Sequence, residues 1–201
     1  MLLAVVDLAA TAVFALEGAL AGIVAQLDVF GVLVIGVVTA TAGGIIRDVL
    51  IGEVPPASIR HARYFGAALM AGAIAMLFHR LVADIPTWLL TGLDAAGLAL
   101  FAVAGTAKAV DFGLSAGMAA IMGTITGVGG GTARDVLLGE VPAVLRVDVY
   151  AVAALTGAVV LLLVQRAGAP RWAAMLVGAV AAFTLRVAAA AGDWNLPVPG
   201  R

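Results

Sequence analysis

The chain contains no cysteine, two histidines (His61 and His79), two serines (Ser58 and Ser115) and charged residues at only 11% of its 201 positions. Each scarcity closes a class of function. Without cysteine there are no disulfides, thiolate metal sites or thiol nucleophiles. Two histidines far apart in sequence do not make a histidine-rich metal cage, and serines falling in expected loops or helix ends give no context for an intramembrane hydrolase. A net charge of −1 supplies no basic stripe to neutralise phosphates, so nucleic acid is not an expected partner. The opening residues MLLAVVDLAATAVFALEG lack a basic leader and carry Asp7 and Glu17, so they read as a first span and not as a cleaved signal.

What the chain has in abundance is apolar sequence, at 64% hydrophobic residues with mean hydropathy +1.16, far above a soluble domain. The expected fold class is an all-α integral membrane protein. A hydrocarbon core about 30 Å thick needs roughly 20 helical residues, and this ruler gives seven apolar segments, near 3–25, 30–51, 62–82, 88–110, 115–138, 149–166 and 171–190. Short links leave no room for a soluble domain. Asp28, Asp84, Asp111 and Pro170 mark breaks, and Trp88, Trp172 and Trp194 fall at segment ends, the headgroup level that such rings favour. Runs such as AALMAGAIAMLF lack the alternation of barrel strands.

One polar element is written twice. GGIIRDVLIGEVP (43–55) returns as GGTARDVLLGEVP (130–142), identical at 10 of 13 positions without a gap and 87 residues further on. The same offset places Asp7 on Asp94, Phe14 on Phe101, Gly18 on Gly105, Gly36 on Gly123 and Thr39 on Thr126. The expected organisation is one transmembrane domain with repeats over 1–86 and 88–168 and an unpaired helix over 170–190. Three spans per repeat is an odd number, so the second copy must enter from the opposite face, the inverted layout of many transporters. Lysines and arginines divide six to five between the two sides (Arg47, Arg60, Arg63, Lys108, Arg166 and Arg171 against Arg80, Arg134, Arg146, Arg186 and Arg201), too evenly to orient the chain.

Spans 2 and 5 carry the expected site. Glycine costs about 1 kcal/mol against alanine in a helix, so Gly43 and Gly44, and Gly129, Gly130 and Gly131, predict a kink or break in each span, with freed carbonyls facing a polar path. Thr39, Thr41, Thr124, Thr126 and Thr132 are candidate hydroxyl ligands beside it. Arg47, Asp48, Arg134 and Asp135 follow the glycines and, at about 2.5–3.5 kcal/mol each near a bilayer centre, need partners or water. Sequence neighbours point about 100° apart on a helix, so the expected partners are crossed, Arg47 with an acid of the second half and Arg134 with one of the first. The bland alternative places both Arg-Asp pairs at the interface, capping helix ends before the GEVP turns.

Other charges carry two readings each. Asp7 and Asp94 suit helix N-termini or a pore mouth. Glu17, aligned with Ala104, is either a silent protonated acid or a functional carboxylate. Lys108, aligned with Ala21, suits a helix C-terminus or adds a cation to a pathway. GxxxG spacings at Gly18 and Gly22, Gly113 and Gly117, and Gly123, Gly127 and Gly131 predict close helix packing. The histidines read as interfacial.

The GGxxRD motifs with their trailing GEVP resemble those of the prokaryotic trimeric intracellular cation channels, and of the closely similar bacterial family described as glycine transporters. The second copy matches the family's GGGxxRD at Gly129, Gly130, Gly131, Arg134 and Asp135; the first reads Ala42, Gly43, Gly44, Arg47 and Asp48, one glycine short, so the two spans need not bend alike. The resemblance implies a homotrimer in the bacterial inner membrane, each subunit holding a pore lined around kinked spans 2 and 5 and passing K+ and, less readily, Na+. It also implies an external N-terminus, a cytoplasmic C-terminus, membrane lipids as neighbours or bound ligands, and no prosthetic group. A secondary transporter of glycine or another small zwitterion uses the same elements and stands as the alternative.

Overall fold

The computed structural model describes residues 1–81, 85–146 and 149–194. Those residues form α1 (Leu2–Val24), α2 (Val29–Leu50), α3 (Ala57–Arg60), α4 (Ala62–Leu81), α5 (Thr87–Asp111), α6 (Ala116–Leu137), α7 (Ala143–Arg146), α8 (Tyr150–Arg166) and α9 (Arg171–Ala191). The long helices coincide with the apolar segments to within a residue or two. The expected break at Asp84, as well as Asp148 and Arg201, lies outside the described residues. By length and apolarity α1, α2, α4, α5 and α9 are long enough to cross a membrane. α8, with 17 residues, is a shorter apolar helix, while α6 is diluted by glycine, threonine and the Arg134-Asp135 pair. Two links that read as bare connections contain the single-turn helices α3 and α7.

The helix ends follow local chemistry. Asp28 caps α2 by accepting the Gly31 N–H at 2.7 Å, and Pro86 and Pro170 stand immediately before α5 and α9. In both GEVP turns the glycine is left-handed, Gly52 at φ 82° and Gly139 at φ 74°. The following glutamate N–H then returns to the aspartate carbonyl, Glu53 to Asp48 at 2.8 Å and Glu140 to Asp135 at 2.9 Å. This closure of a helix end suits glycine because it has no Cβ to strain. The motif's GE is therefore a helix stop, built identically in both copies.

Inside, the bundle is made mostly of alanine and glycine, which lets backbones approach closely. Phe14 and Phe101, matched by the repeat, meet at its centre with ring centroids 5.4 Å apart. The outer face carries exposed apolar side chains such as Phe30, Ile74 and Leu163, suited to lipid contact. α9 packs on α5 and α8, with Gly157 and Gly178 so close that a Cβ on either would press the other's carbonyl oxygen at 2.7 and 2.6 Å.

Neither glycine run interrupts its helix: α2 and α6 remain helical through residues 43–44 and 129–131. The glycines serve instead as the place of contact between α2 and α6. A Cβ on Gly43 would strike the Thr126 carbonyl, and one on Gly130 would strike the Thr39 carbonyl. The two contacts are the same contact seen from each repeat. A Cβ on Gly129 would meet the Gly43 Cα at 2.9 Å. Gly18 and Gly105 make room in the same way for the Thr39 and Thr126 side chains on α2 and α6. Of the GxxxG spacings, Gly113 and Gly117 differ from expectation, since neither has a neighbour within 4 Å and Gly113 is a left-handed turn residue at φ 81°.

Candidate functional site: two ionic clusters at opposite ends of the bundle

The α2–α6 crossing separates two clusters of buried charge. The first joins the start of α1, the end of α2 and the end of α5. Arg47, 1% exposed, donates from Nη1 to Asp7 Oδ1 at 2.7 Å and from Nη2 to Asp7 Oδ2 at 3.2 Å, while its Nε donates to Asp48 Oδ1 at 2.8 Å. Lys108 closes the group from α5, with Nζ 2.7 Å from Asp48 Oδ1 and 2.5 Å from Glu53 Oε2. The other Asp48 oxygen accepts the Ala57 N–H at 2.9 Å, at the start of α3. The cavity beside Arg47, bordered by Gly44, Thr41 and Tyr64, measures about 10 Å³, at most the room of one water.

The second cluster joins the latter half of α1, the start of α5, the end of α6 and α9. Arg134 donates from Nη1 to Glu17 Oε1 and from Nε and Nη2 to Asp135 Oδ1 at 2.9 and 2.7 Å. Its Nη1 also lies 3.5 Å from Asp94 Oδ1. Asp135 Oδ2 accepts the Ala143 N–H at 2.8 Å at the start of α7, mirroring Asp48 and Ala57. Tyr150 donates its hydroxyl to Asp94 Oδ1 at 2.8 Å. Arg186, on α9, stacks over the Tyr150 ring at 5.0 Å and places Nε 3.8 Å from Asp94 Oδ2. This cluster borders a cavity of about 350 Å³, lined by the carboxylates of Glu17, Asp94, Asp135 and Glu140 against the guanidiniums of Arg134 and Arg186.

Several expectations change. Adjacent Arg and Asp do pair, in both copies, because three methylenes let a guanidinium swing back across the angle between neighbouring helical positions. Arg134 finds Glu17 of the first half as expected. Arg47 does not reach the second half; it binds Asp7 of its own, and the crossing residue is Lys108. Asp7 and Asp94 are not bare helix-end charges, since each faces the arginine of its own repeat, and Asp94 borders the larger cavity. Asp48 and Asp135 each cap the next short helix, and Arg47 and Asp48 are buried within the bundle.

The threonine hydroxyls are oriented by their own helices. Thr39, Thr41, Thr124, Thr126 and Thr132 each donate to the carbonyl four residues back, at 2.6–2.9 Å, and Thr39 and Thr126 are fully buried. Their donors belong to their own helices. Tyr150 and Arg186 are the side chains of the second cluster that sequence reasoning passed over. Tyr150 has one usable signal, its place 86 residues after Tyr64, which borders the Asp7 cavity. Arg186 has none in the repeat, because α9 has no copy.

The glycine transporter family matches residues 4–80 and 91–166, the two repeats. A UPF0126 membrane protein of Vibrio cholerae is 39% identical over 98% of this chain and 82% of its own length. The UPF0126 inner membrane protein YadS of Escherichia coli K12 is 38% identical over 99% and 96%. Among solved structures, the TRIC trimeric intracellular cation channel orthologue from Rhodobacter sphaeroides superposes with TM-score 0.88 at 34% identity, covering 96% of this chain and 99% of that one. A prokaryotic TRIC channel determined in 0.5 M KCl gives TM-score 0.88 at 30% identity, covering 98% and 99%. The chain is a multi-pass, all-helical membrane protein belonging to the glycine transporter (UPF0126) family, within the wider TRIC family.

Proposed function

We propose that the protein is a channel for monovalent cations, K+ first and Na+ second, working as a homotrimer with one pathway per subunit. The observation that carries this reading is the cavity of about 350 Å³ whose four carboxylates outnumber its two guanidiniums. With all groups ionised its formal charge is −2, and a low-dielectric cleft of one sign concentrates counter-ions. The pathway runs from this cavity along the α2–α6 crossing toward the Arg47 cluster, so the glycine contact is the point that must flex for ions to pass. In this reading one transmembrane domain holds seven spans as two inverted triplets plus α9, with an external N-terminus and a cytoplasmic C-terminus. No prosthetic group and no covalent chemistry are required. The named cation channels among the structural neighbours support it.

The test is single-channel recording in a planar bilayer with a K+ gradient, followed by glycine added to one side. Discrete steps reversing near the K+ equilibrium potential and indifferent to glycine support the channel. A second reading, a carrier of a small zwitterion, has its own observation: Glu17 Oε2 and Arg186 Nε and Nη1 make no hydrogen bond among the described residues, and both residues border one cavity, offering an acceptor for an ammonium and donors for a carboxylate. The family's description as a glycine transporter agrees with it. A silent bilayer together with saturable glycine uptake into vesicles selects it.

A further inference from the structure

Arg47, Lys108 and Arg134 each hydrogen-bond at least one carboxylate. Arg186 does not. Its side chain is 9% exposed and its Nε stands 3.8 Å from Asp94 Oδ2, beyond hydrogen-bond reach, while Nε and Nη1 have no acceptor among the described residues. The guanidinium rests on the Tyr150 ring, and the Tyr150 hydroxyl is committed to the other Asp94 oxygen. Among the described residues this cation is held by field and stacking, at the wall of a cavity that also presents Glu17, Asp135, Glu140 and Arg134. It comes from α9, which stands outside the duplication; in the first repeat the guanidinium over the matching Tyr64 ring, at 5.2 Å, is that of the exposed Arg63.

We propose that Arg186 is a tethered competitor of the permeant cation: its guanidinium occupies the place beside Asp94 where a monovalent cation is otherwise stabilised, and so sets the rate at which cations enter the second cavity. This rests on the channel reading above. Arg186 contributes one positive charge to a cavity of formal charge −2, and removing it deepens the cavity's attraction for K+. An effect of charge on ion entry is greatest where the Debye length is long, about 30 Å at 0.01 M salt, and fades at about 3 Å in 1 M salt. A packing effect has no such dependence.

The experiment records K+ conductance of the full-length protein in planar bilayers at low and high KCl for the wild type, R186K, R186Q and R186C, with R166Q, an exposed arginine outside both clusters, as the control. In dilute KCl the two neutral variants should conduct about threefold to tenfold better than wild type, converging to within about twofold in 1 M KCl, while R166Q stays close to wild type and R186K, which keeps the charge, gains less than either neutral variant. Because the native chain has no cysteine, an alkylammonium methanethiosulfonate modifies R186C alone, and restoring the positive charge should return the conductance toward wild type. Equal conductance of R186Q and wild type at all salt concentrations overturns the proposal, as does a change that persists undiminished in 1 M KCl. Loss of assembly in both neutral variants with R186K intact also overturns it, since the charge is then a folding requirement. A wild-type protein that passes no current removes the channel reading itself, a result distinguishable from any of these.

Discussion

The two ionic clusters descend from one motif, yet the first is shut and the second is open. Around Arg47 the charges Asp7, Asp48 and Glu53 are matched by Arg47, Lys108 and Arg60, and the free space is about 10 Å³. Around Arg134 the carboxylates are in excess and the space is about 350 Å³. The motif residues themselves do not make the difference, since Arg47 and Arg134 each hold their aspartate neighbour, and Asp48 and Asp135 each cap the next helix, in the same way. It comes from residues where the repeat is broken: Lys108 against Ala21, Glu17 against Ala104, and Arg186 on an unduplicated helix. A duplicated scaffold supplies two equivalent sockets, and three unmatched charges decide what each does.

The comparison breaks most completely at the element the halves share. Gly130→Leu drives a side chain into the Thr39 carbonyl and Phe14, a clash that rearranging one flexible side chain does not relieve. It should abolish K+ flux and destabilise the protein by about 3 kcal/mol or more, read as loss of the native elution peak after mild heating in detergent. Gly92→Ala, where a Cβ meets nothing within 4 Å, should leave both unchanged; matching behaviour of the pair would dismiss the crossing as a constraint.

Next in size, Arg47→Ala should cost more stability than Arg134→Ala. Both leave a buried carboxylate without its arginine, worth about 3–5 kcal/mol, but Asp7 then has only the space the guanidinium vacates beside a cavity of about 10 Å³, Asp48 keeping Lys108, whereas Glu17, Asp94 and Asp135 open on a larger cavity that water can enter. Thermal denaturation of the two variants side by side checks the order, and the reverse order would mean that cavity size does not govern the cost.

A smaller effect should follow Lys108→Ala, which gives the first cluster the residue that the second has at the matched position, Ala21. Removing the Lys108 contacts to Asp48 and Glu53 leaves carboxylates in excess at both ends, and K+ flux into vesicles should rise about twofold to threefold in low salt and much less in high salt. The slightest change belongs to Arg166→Ala, exposed at the end of α8, within about 0.5 kcal/mol of wild type.

The helices were legible because apolar length and turn residues are local: Asp28, Pro86, Pro170 and the GEVP glycines each act within a few residues. Arg47 and Arg134 were legible as ions that need partners, because charge in an apolar chain is costly wherever it sits. The identity of the partners was not. Whether Arg47 meets Asp7 or an acid of the other half depends on how helices far apart in sequence lie against one another, which no spacing encodes. Helix propensity alone predicts a kink or break at the glycine runs, while the use of their missing Cβ atoms in contact between α2 and α6 depends on tertiary packing that propensity does not encode. Arg186 was passed over because the repeat, the strongest guide in the sequence, is silent about α9.

The reciprocal contact between α2 and α6 has a consequence for how the chain holds together. Gly43 meets the carbonyl of Thr126 as Gly130 meets that of Thr39, so the surface joining the halves is self-complementary, like the isologous face of a two-fold dimer carried on one polypeptide. A substitution on such a face is felt once here, where a true dimer would feel it twice. Each half is thereby free to drift by single steps while the other keeps the original fit, which is the freedom that lets one end of the bundle stay closed and the other carry a cavity.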